Sequence, residues 1–84
     1  MNDLENLKKK IIYRSSYRGT KEMDILLSSF VNKYIEIFSA DELIYLDKFL
    51  DYEDEVIFNY YQNGILTEEI TNNKISTIFK KFKL

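Results

Sequence analysis

The fold is decided by residues 23–38, which read MDILLSSFVNKYIEIF. Apolar residues recur along this segment at every third or fourth position, which is the spacing of one face of an α-helix. These residues are Met23, Leu26, Leu27, Phe30, Val31, Tyr34, Ile35 and Phe38. No other periodic stretch of the chain is as hydrophobic. We therefore predict a central helix here, with the rest of the chain packed around it.

The segment before the central helix has the same periodicity. Residues 3–14 carry apolar positions at helical spacing, so we predict a first helix there. Its stripe consists of Leu4, Leu7, Ile11 and Ile12, with the stem of Lys8 between them. Residues 15–20 break the pattern, and we predict a loop or bend over them.

The segment after the central helix begins with a capping box. In Ser39-Ala40-Asp41-Glu42 the hydroxyl of Ser39 can accept from the amide of Glu42, whose carboxylate can reach back to the amide of Ser39. Phe38 and Leu43 occupy the hydrophobic staple positions that flank the box. We predict a third helix from this point, with its apolar face formed by Leu43, Leu46, Phe49 and Leu50.

Two further helices complete the prediction. Asp54 is a candidate N-cap for a fourth helix, and Gly64 lies where a left-handed residue would end it. A last apolar stripe predicts a C-terminal helix that starts near Thr71. Strict two-residue alternation is absent. We therefore expect an all-α protein, a compact bundle of about five short helices that forms a single domain over residues 1–84.

The composition excludes several kinds of site. The chain has no cysteine and no histidine. A disulfide is therefore impossible, a zinc site lacks its usual ligands, and Ser–His and Cys–His nucleophile pairs are excluded. The acids at residues 51–55 do not have the spacing of a calcium-binding loop. We accordingly expect no catalytic residues and no metal.

The location of the protein is predicted from its N-terminus and hydropathy. Met1 to Glu5 is acidic and polar, unlike a secretory signal. No run approaches the roughly 18 apolar residues that a membrane span requires. We expect a cytoplasmic protein without stable membrane insertion.

The charged residues are unevenly distributed. Residues 8–21, the basic segment, carry six basic residues and no acidic one, whereas residues 36–55, the acidic segment, carry eight acids and one lysine. Such blocks predict one basic and one acidic face. The net charge of −2 is nevertheless wrong for a dedicated DNA-binding domain. A helix-turn-helix over residues 22–50 would also present acids to the phosphates. We expect no nucleic-acid partner.

One motif remains as a candidate site, the stretch that runs from Arg18-Gly19 to Glu22 and Asp24. It is explained equally well as a simple helix start, because glycine permits a bend and first-turn acids suit the helix dipole. However, an exposed arginine on a loop, next to Tyr17, supplies residue types that are enriched at binding hot spots. We predict a partner-binding surface formed by Tyr17, Arg18, Gly19, Glu22 and Asp24.

The motif resembles that of a known family. Arg18-Gly19-x-x-Glu22-x-Asp24 is similar to the Arg-Gly-x-x-Glu motif of the SdhE family, called succinate dehydrogenase assembly factor 2 in mitochondria. The likeness extends over roughly residues 8–80. Further matches follow in the family's order: Leu26-Leu27, Phe30, Ser39 to Glu42, Leu50-Asp51, Asp54 and Phe58-Asn59-Tyr60. This chain departs from the family at Tyr17, Glu55 and Tyr60, where arginine, proline and tryptophan are usual.

The resemblance implies an accessory protein and not an enzyme. Members of this family bind the flavoprotein subunit of succinate dehydrogenase and, in bacteria, often the related subunit of fumarate reductase. They promote the covalent bond between FAD and a histidine of that client, so the flavin belongs to the client and is not held tightly by this chain. By this resemblance Arg18 and Glu22 would contact the client, Gly19 would permit close approach, and Asp24 would orient Arg18 or the loop. The free protein is expected to be a monomer.

Three alternatives stay open. A helical interaction module, such as an antitoxin or adaptor, would share the bundle but not the client. A small DNA-binding regulator would bind duplex with steep salt dependence. A flavin-binding protein in its own right is less favoured, because no glycine-rich phosphate loop is present.

Overall fold

A computed structural model describes residues 3–64 and 73–84, and within them it contains five α-helices and no strand. The helices are α1 (Asp3–Ser16), α2 (Lys21–Tyr34), α3 (Ala40–Phe49), α4 (Asp54–Asn63) and α5 (Lys74–Lys81). α1 packs on α2 and α3, and α5 packs on α3 and α4. The prediction of an all-α bundle of about five short helices is confirmed.

α2 supplies the centre of the core. Its start is capped by Thr20, whose hydroxyl accepts from the amide of Met23 at 3.3 Å. The predicted apolar face is buried except at Tyr34, which is only partly buried. The helix ends at Tyr34, four residues before the predicted end. The amides of Ile37 and Phe38 both donate to the carbonyl of Tyr34, at 2.9 and 3.0 Å. This tightened turn ends the helix while Ile35 and Phe38 stay buried.

Phe30 joins α2 to α5 through aromatic contacts. Its ring is fully buried and lies edge-on to Phe79 and Phe82, with centroids 5.0 and 5.4 Å apart. Edge-to-face pairs at this spacing stabilise beyond the area that they bury. The last helix is therefore anchored on the central one by aromatic rings, in a chain without disulfides.

The start of α3 is as predicted. Ser39 Oγ accepts from the amide of Glu42 at 3.3 Å, and the amide of Ser39 donates to Glu42 Oε1 at 2.8 Å. Glu42 Oε2 also pairs with Lys74 Nζ of α5 at 2.5 Å. The hydrogen bond from Lys74, aided by that from the Ser39 backbone, lowers the pKa of Glu42 below its ordinary value. The capping residue of α3 thus also fixes the start of α5.

α4 confirms one predicted boundary and corrects the other. Gly64 ends the helix in the left-handed conformation, with φ +67°, and its amide donates to Tyr60 at 2.9 Å. Asp54 is not the N-cap as predicted. Glu53 occupies that position without a side-chain cap, and Asp54 is the first helical residue. Its carboxylate accepts from Arg18 instead, an ionic partner that the sequence did not reveal.

α5 begins at Lys74, after an N-cap at Asn73 whose side chain accepts from the amide of Ser76 at 3.0 Å. The predicted start near Thr71 lies outside the described residues. Tyr60 Oη donates to the carbonyl of Ser76 at 2.9 Å, which ties α4 to α5.

The charged segments do not form separate faces, so that prediction is wrong. α1 carries its basic residues against the acidic segment. Lys10 Nζ lies 3.0 Å from Asp47 Oδ2, and Arg14 bridges Asp47 and Asp51 at 2.7 and 2.5 Å. Partial burial lowers the pKa of Arg14, but hydrogen bonds to Asp51 and Asp47 outweigh it and the net pKa is raised. The blocks attract each other because opposite charges reduce the cost of placing α1 beside α3.

Candidate functional site

The loop between α1 and α2, residues 17–20, is held in place by Arg18. The Arg18 side chain is only 10% exposed. Its Nε donates to Asp54 Oδ1 at 2.8 Å, its Nη1 to the carbonyl of Leu50 at 2.7 Å, and its Nη2 to the carbonyl of Tyr52 at 2.6 Å. Each guanidinium nitrogen therefore has a partner within the chain, and the loop is fixed to the turn between α3 and α4.

The expectation that Arg18 is exposed is therefore wrong. Leu50 is the C-cap of α3, and the last carbonyls of a helix lack partners within it. A planar guanidinium can reach these carbonyls and the Asp54 carboxylate together, which a single-point donor cannot. Arg18 holds the loop in place, and its place in a partner-binding surface stays a prediction.

Asp24 holds the same loop from the other side. The amide of Arg18 donates to Asp24 Oδ1 at 2.6 Å, in agreement with the expectation that Asp24 orients Arg18 or the loop. Because the amide of Asp24 also donates to Thr20 at 3.0 Å, the loop backbone is bound to the first turn of α2 at two points. The loop backbone is thus tied to the bundle by hydrogen bonds from both sides.

Gly19 is required by the backbone. Its φ is +130°, a conformation that residues with a side chain rarely adopt. A Cβ at this position would lie 3.6 Å from Asp54 Oδ2, which is an ordinary contact. Backbone conformation, and not lack of space within the chain, therefore accounts for the glycine. The close approach of a partner at Gly19 stays a prediction.

Tyr17 and Glu22 are the predicted contact residues whose side chains remain exposed. Tyr17 is 72% exposed, and its ring lies against that of Tyr13 with centroids 4.8 Å apart. Glu22 is exposed in the first turn of α2. With Gly19 they form an exposed surface on a braced loop, which we call the loop surface.

A groove beside the loop surface was not predicted from the sequence. It has a volume of about 430 Å³ and lies between the first turns of α2 and α4. Its lining residues are Thr20, Glu22, Met23, Asp54, Glu55 and Phe58. The sequence held one indication of this groove, because Glu55 and Phe58 are three residues apart and share a helix face. Nothing in the residue order places that face against the start of α2.

The described ranges, 3–64 and 73–84, lack two features. They contain no helix that is long and apolar enough to cross a membrane. They also contain no group of three or more acidic side chains placed to hold a metal ion.

The fold and the loop together define a small helical bundle that presents an exposed loop held by hydrogen bonds. Residues 9–83 match the family model described as "Flavinator of succinate dehydrogenase". The chain belongs to this family, as the resemblance of its motif predicted.

Curated relatives carry corresponding names. The chain is 35% identical over 80 residues to "Succinate dehydrogenase assembly factor 2-B, mitochondrial" of Drosophila willistoni, an alignment that covers 93% of this chain and 51% of the relative. It is 34% identical over 76 residues to "Succinate dehydrogenase assembly factor 2, mitochondrial" of Debaryomyces hansenii, with 86% and 54% covered. The chain therefore spans about half the length of these relatives. Their names place those proteins in mitochondria, and the cytoplasmic location expected for this chain stays a prediction.

Proposed function

We propose that this chain helps to assemble succinate dehydrogenase by binding its flavoprotein subunit and promoting covalent attachment of FAD to a histidine there. The observation that carries the proposal is the match of residues 9–83 to the flavinator family. The names of the relatives support the assembly role. The related flavoprotein of fumarate reductase is proposed as a second client.

The braced loop supports a binding role. Arg18 and Asp24 fix the loop through bonds within the chain, so it loses little conformational entropy when a partner docks. Direct contact with the client then falls to Tyr17, Gly19 and Glu22 on the loop surface. In this proposal Arg18 and Asp24 of the motif shape the loop surface, and Glu22 faces outwards, where it can contact the client.

The proposed mechanism is a population shift in the client. FAD supplies the chemistry of attachment, and the histidine that it joins belongs to the flavoprotein. This chain would bind more tightly to the client conformer in which histidine and flavin are aligned, and it would thereby raise the population of that conformer. No catalytic group from this chain is needed, which supports a non-enzymatic role.

The flavin is proposed to stay with the client. Three of the six residues that line the groove beside the loop surface are acidic: Glu22, Asp54 and Glu55. This lining would repel the diphosphate of FAD. The groove therefore does not fit the cofactor, and this mismatch supports the proposal that FAD is not held by this chain.

The test is co-expression of the chain with the flavoprotein subunit from the same organism, with covalent flavin scored by in-gel fluorescence. Glu22→Ala should lower covalent flavin while the protein stays folded. Asp41→Ala is the matched control, because Asp41 is also an exposed acid in the first turn of a helix. Equal covalent flavin with and without the chain would refute the proposed function.

The rival functions predict other results. An adaptor with a different client would recover that protein, and not the flavoprotein, in a pull-down from the native cell. A DNA-binding regulator would bind duplex at low salt. The pairing of Lys10 and Arg14 with Asp47 neutralises cations that DNA would need, and this disfavours the second rival.

A further inference from the structure

The outer face of α3 exposes two apolar side chains between two charged ones. Ile44 is 46% exposed and Tyr45 is 51% exposed. They lie between Asp41 and Lys48, which are also exposed, and this spacing places all four side chains on one side of the helix. The four residues, which we call the α3 face, line a hollow of about 290 Å³. Four residues at this spacing form the kind of hole into which a facing helix packs.

The charged residues of α3 differ in whether they have a partner. Glu42 and Asp47 are bound in ion pairs with α5 and α1. Asp41 and Lys48 have no ion pair with any residue that the structure describes. The helix dipole favours an acid in the first turn and a base in the last, which accounts for the types of these two residues. It does not account for the two apolar side chains that remain exposed between them.

We propose that the α3 face binds the same face of a second copy of this chain. None of its four residues belongs to the loop surface or lines the groove beside it, so this inference does not rest on the proposed function. A twofold axis through the centre of the face makes the two α3 helices antiparallel. A surface that contacts itself in this way must be self-complementary.

The order of the four residues makes the α3 face self-complementary. Asp41 and Lys48 are equally far from the midpoint of the face, which lies between Ile44 and Tyr45. In the antiparallel pair, Asp41 of each copy therefore lies opposite Lys48 of the other, which gives two ion pairs. Ile44 packs on Ile44 of the second copy, and Tyr45 packs on Tyr45. The contact thus has an apolar centre and charged ends, like the core and rim of protein interfaces.

The charge order favours this occupant over others. A parallel second copy would place like charges opposite each other. A nucleic acid, or any surface of one charge sign, would be attracted at one end of the α3 face and repelled at the other. An antiparallel copy satisfies both ends at once.

The dimer is expected to be weak. The α3 face belongs to a single helix of 10 residues, so the contact is smaller than the roughly 1,200 Å² that stable interfaces bury. We expect a Kd on the order of 0.1–1 mM. The expectation of a monomer then holds for dilute solutions, and the second copy binds as the concentration rises.

The test is sedimentation equilibrium of the whole chain at concentrations up to about 1 mM. Asp41→Lys and Lys48→Asp should each weaken the dimer about tenfold, because each places like charges opposite one another at both ends of the pair. A chain that carries both changes should recover to within about threefold of the original affinity, since opposite charges face each other again. Both changes oppose the helix dipole, so a more stable helix cannot explain the recovery.

The apolar centre is tested separately. Ile44→Ala should weaken the dimer about tenfold, because the twofold axis removes this side chain from both copies at once. Ile25→Ala is the matched control and should leave the affinity unchanged, since Ile25 is 47% exposed on α2, outside the α3 face. Alanine favours helix, so both variants should fold, and thermal unfolding checks this. The charge reversals test the face independently if Ile44→Ala does not fold.

Each outcome decides the proposal. An unaltered chain that stays monomeric at about 1 mM would refute the dimer. A dimer whose affinity is the same in both single charge variants and in Ile44→Ala would show that another surface associates. Loss of affinity in the single charge variants without recovery in the double variant would refute the antiparallel arrangement. Loss in the single variants with recovery in the double variant supports the α3 face.

Discussion

Nε of Arg18 donates a hydrogen bond to Oδ1 of Asp54 across 2.8 Å, and this contact joins positions that lie 36 residues apart in the chain. The same guanidinium binds the carbonyls of Leu50 and Tyr52. The loop surface and the groove therefore both depend on the contact between Arg18 and Asp54, because Asp54 lines the groove while Arg18 fixes the loop. A substitution that breaks this contact should alter both the loop surface and the groove.

The first prediction concerns Arg18→Lys. Lysine keeps the positive charge, but its single ammonium group cannot bind the three acceptors that the planar guanidinium of Arg18 binds. Because part-buried acceptors lose their partners, the free energy of unfolding should fall by about 1–3 kcal/mol. Urea denaturation measures the change. Lys21→Ala, at an exposed cation beside the loop, is the control and should stay within about 0.5 kcal/mol. Equal urea midpoints for Arg18→Lys and Lys21→Ala would show that the Arg18 hydrogen bonds do not stabilise the fold.

The second prediction compares the two glycines. Gly64 has φ +67°, within the left-handed region that asparagine tolerates, whereas Gly19 has φ +130°, outside it. Gly19→Asn should lower the free energy of unfolding by about 1–3 kcal/mol. Gly64→Asn should lower the free energy of unfolding by less, since a Cβ at position 64 would contact only the flexible end of Lys80, with Nζ at 2.9 Å. Parallel urea titrations compare the loss of unfolding free energy in the two variants. A larger loss for Gly64→Asn would show that crowding by Lys80 outweighs backbone strain at Gly19.

Features set by neighbouring residues could be predicted from the sequence. The capping box of Ser39 and Glu42 needs only two residues three positions apart, and it is present. The left-handed end at Gly64 is equally local. The stripe of α2 identified the central helix because burial along one face repeats with the helical period.

Features that depend on distant atoms could not be predicted. The partners of Arg18 include backbone carbonyls of Leu50 and Tyr52, and every residue type carries such carbonyls. Asp54 has the residue type of an N-cap, but the guanidinium of Arg18 engages its carboxylate from the first helical position. The groove likewise needs the relative placement of two helices. The motif marked the candidate surface in the sequence, and the tertiary contacts decide which of its residues face outwards.

The third prediction concerns pH and Glu42. Its folded-state pKa lies below the ordinary value of 4.5, first through the hydrogen bond from Lys74 and then through that from the Ser39 backbone. A carboxyl with a depressed folded pKa stabilises the fold at pH values above its unfolded pKa. That contribution is lost as the pH falls through the folded pKa.

Glu42→Gln isolates this charge, because glutamine keeps an oxygen acceptor for the Ser39 amide of the capping box. The difference in unfolding free energy between the unaltered chain and this variant should be constant near neutral pH and shrink below about pH 4.5. Urea titrations across pH measure it. In a Lys74→Ala background the same difference should be smaller at every pH above that point. A difference that grows towards acid pH would contradict the assigned direction.

The last prediction concerns Tyr17, which is largely exposed and contacts the ring of Tyr13. Tyr17→Ser should change the free energy of unfolding by no more than about 0.5 kcal/mol, because little of the side chain is buried. If the loop surface binds the flavoprotein, the same change should weaken binding about tenfold, since tyrosine at the centre of a contact often dominates its energy. Tyr17→Arg should retain affinity, because arginine is also a hot-spot residue and is usual at this position in the family. Tyr45→Ser, at an exposed tyrosine on α3, is the control and should bind normally. Calorimetry and urea denaturation on the same preparations separate the two effects, and normal binding by Tyr17→Ser would remove Tyr17 from the contact.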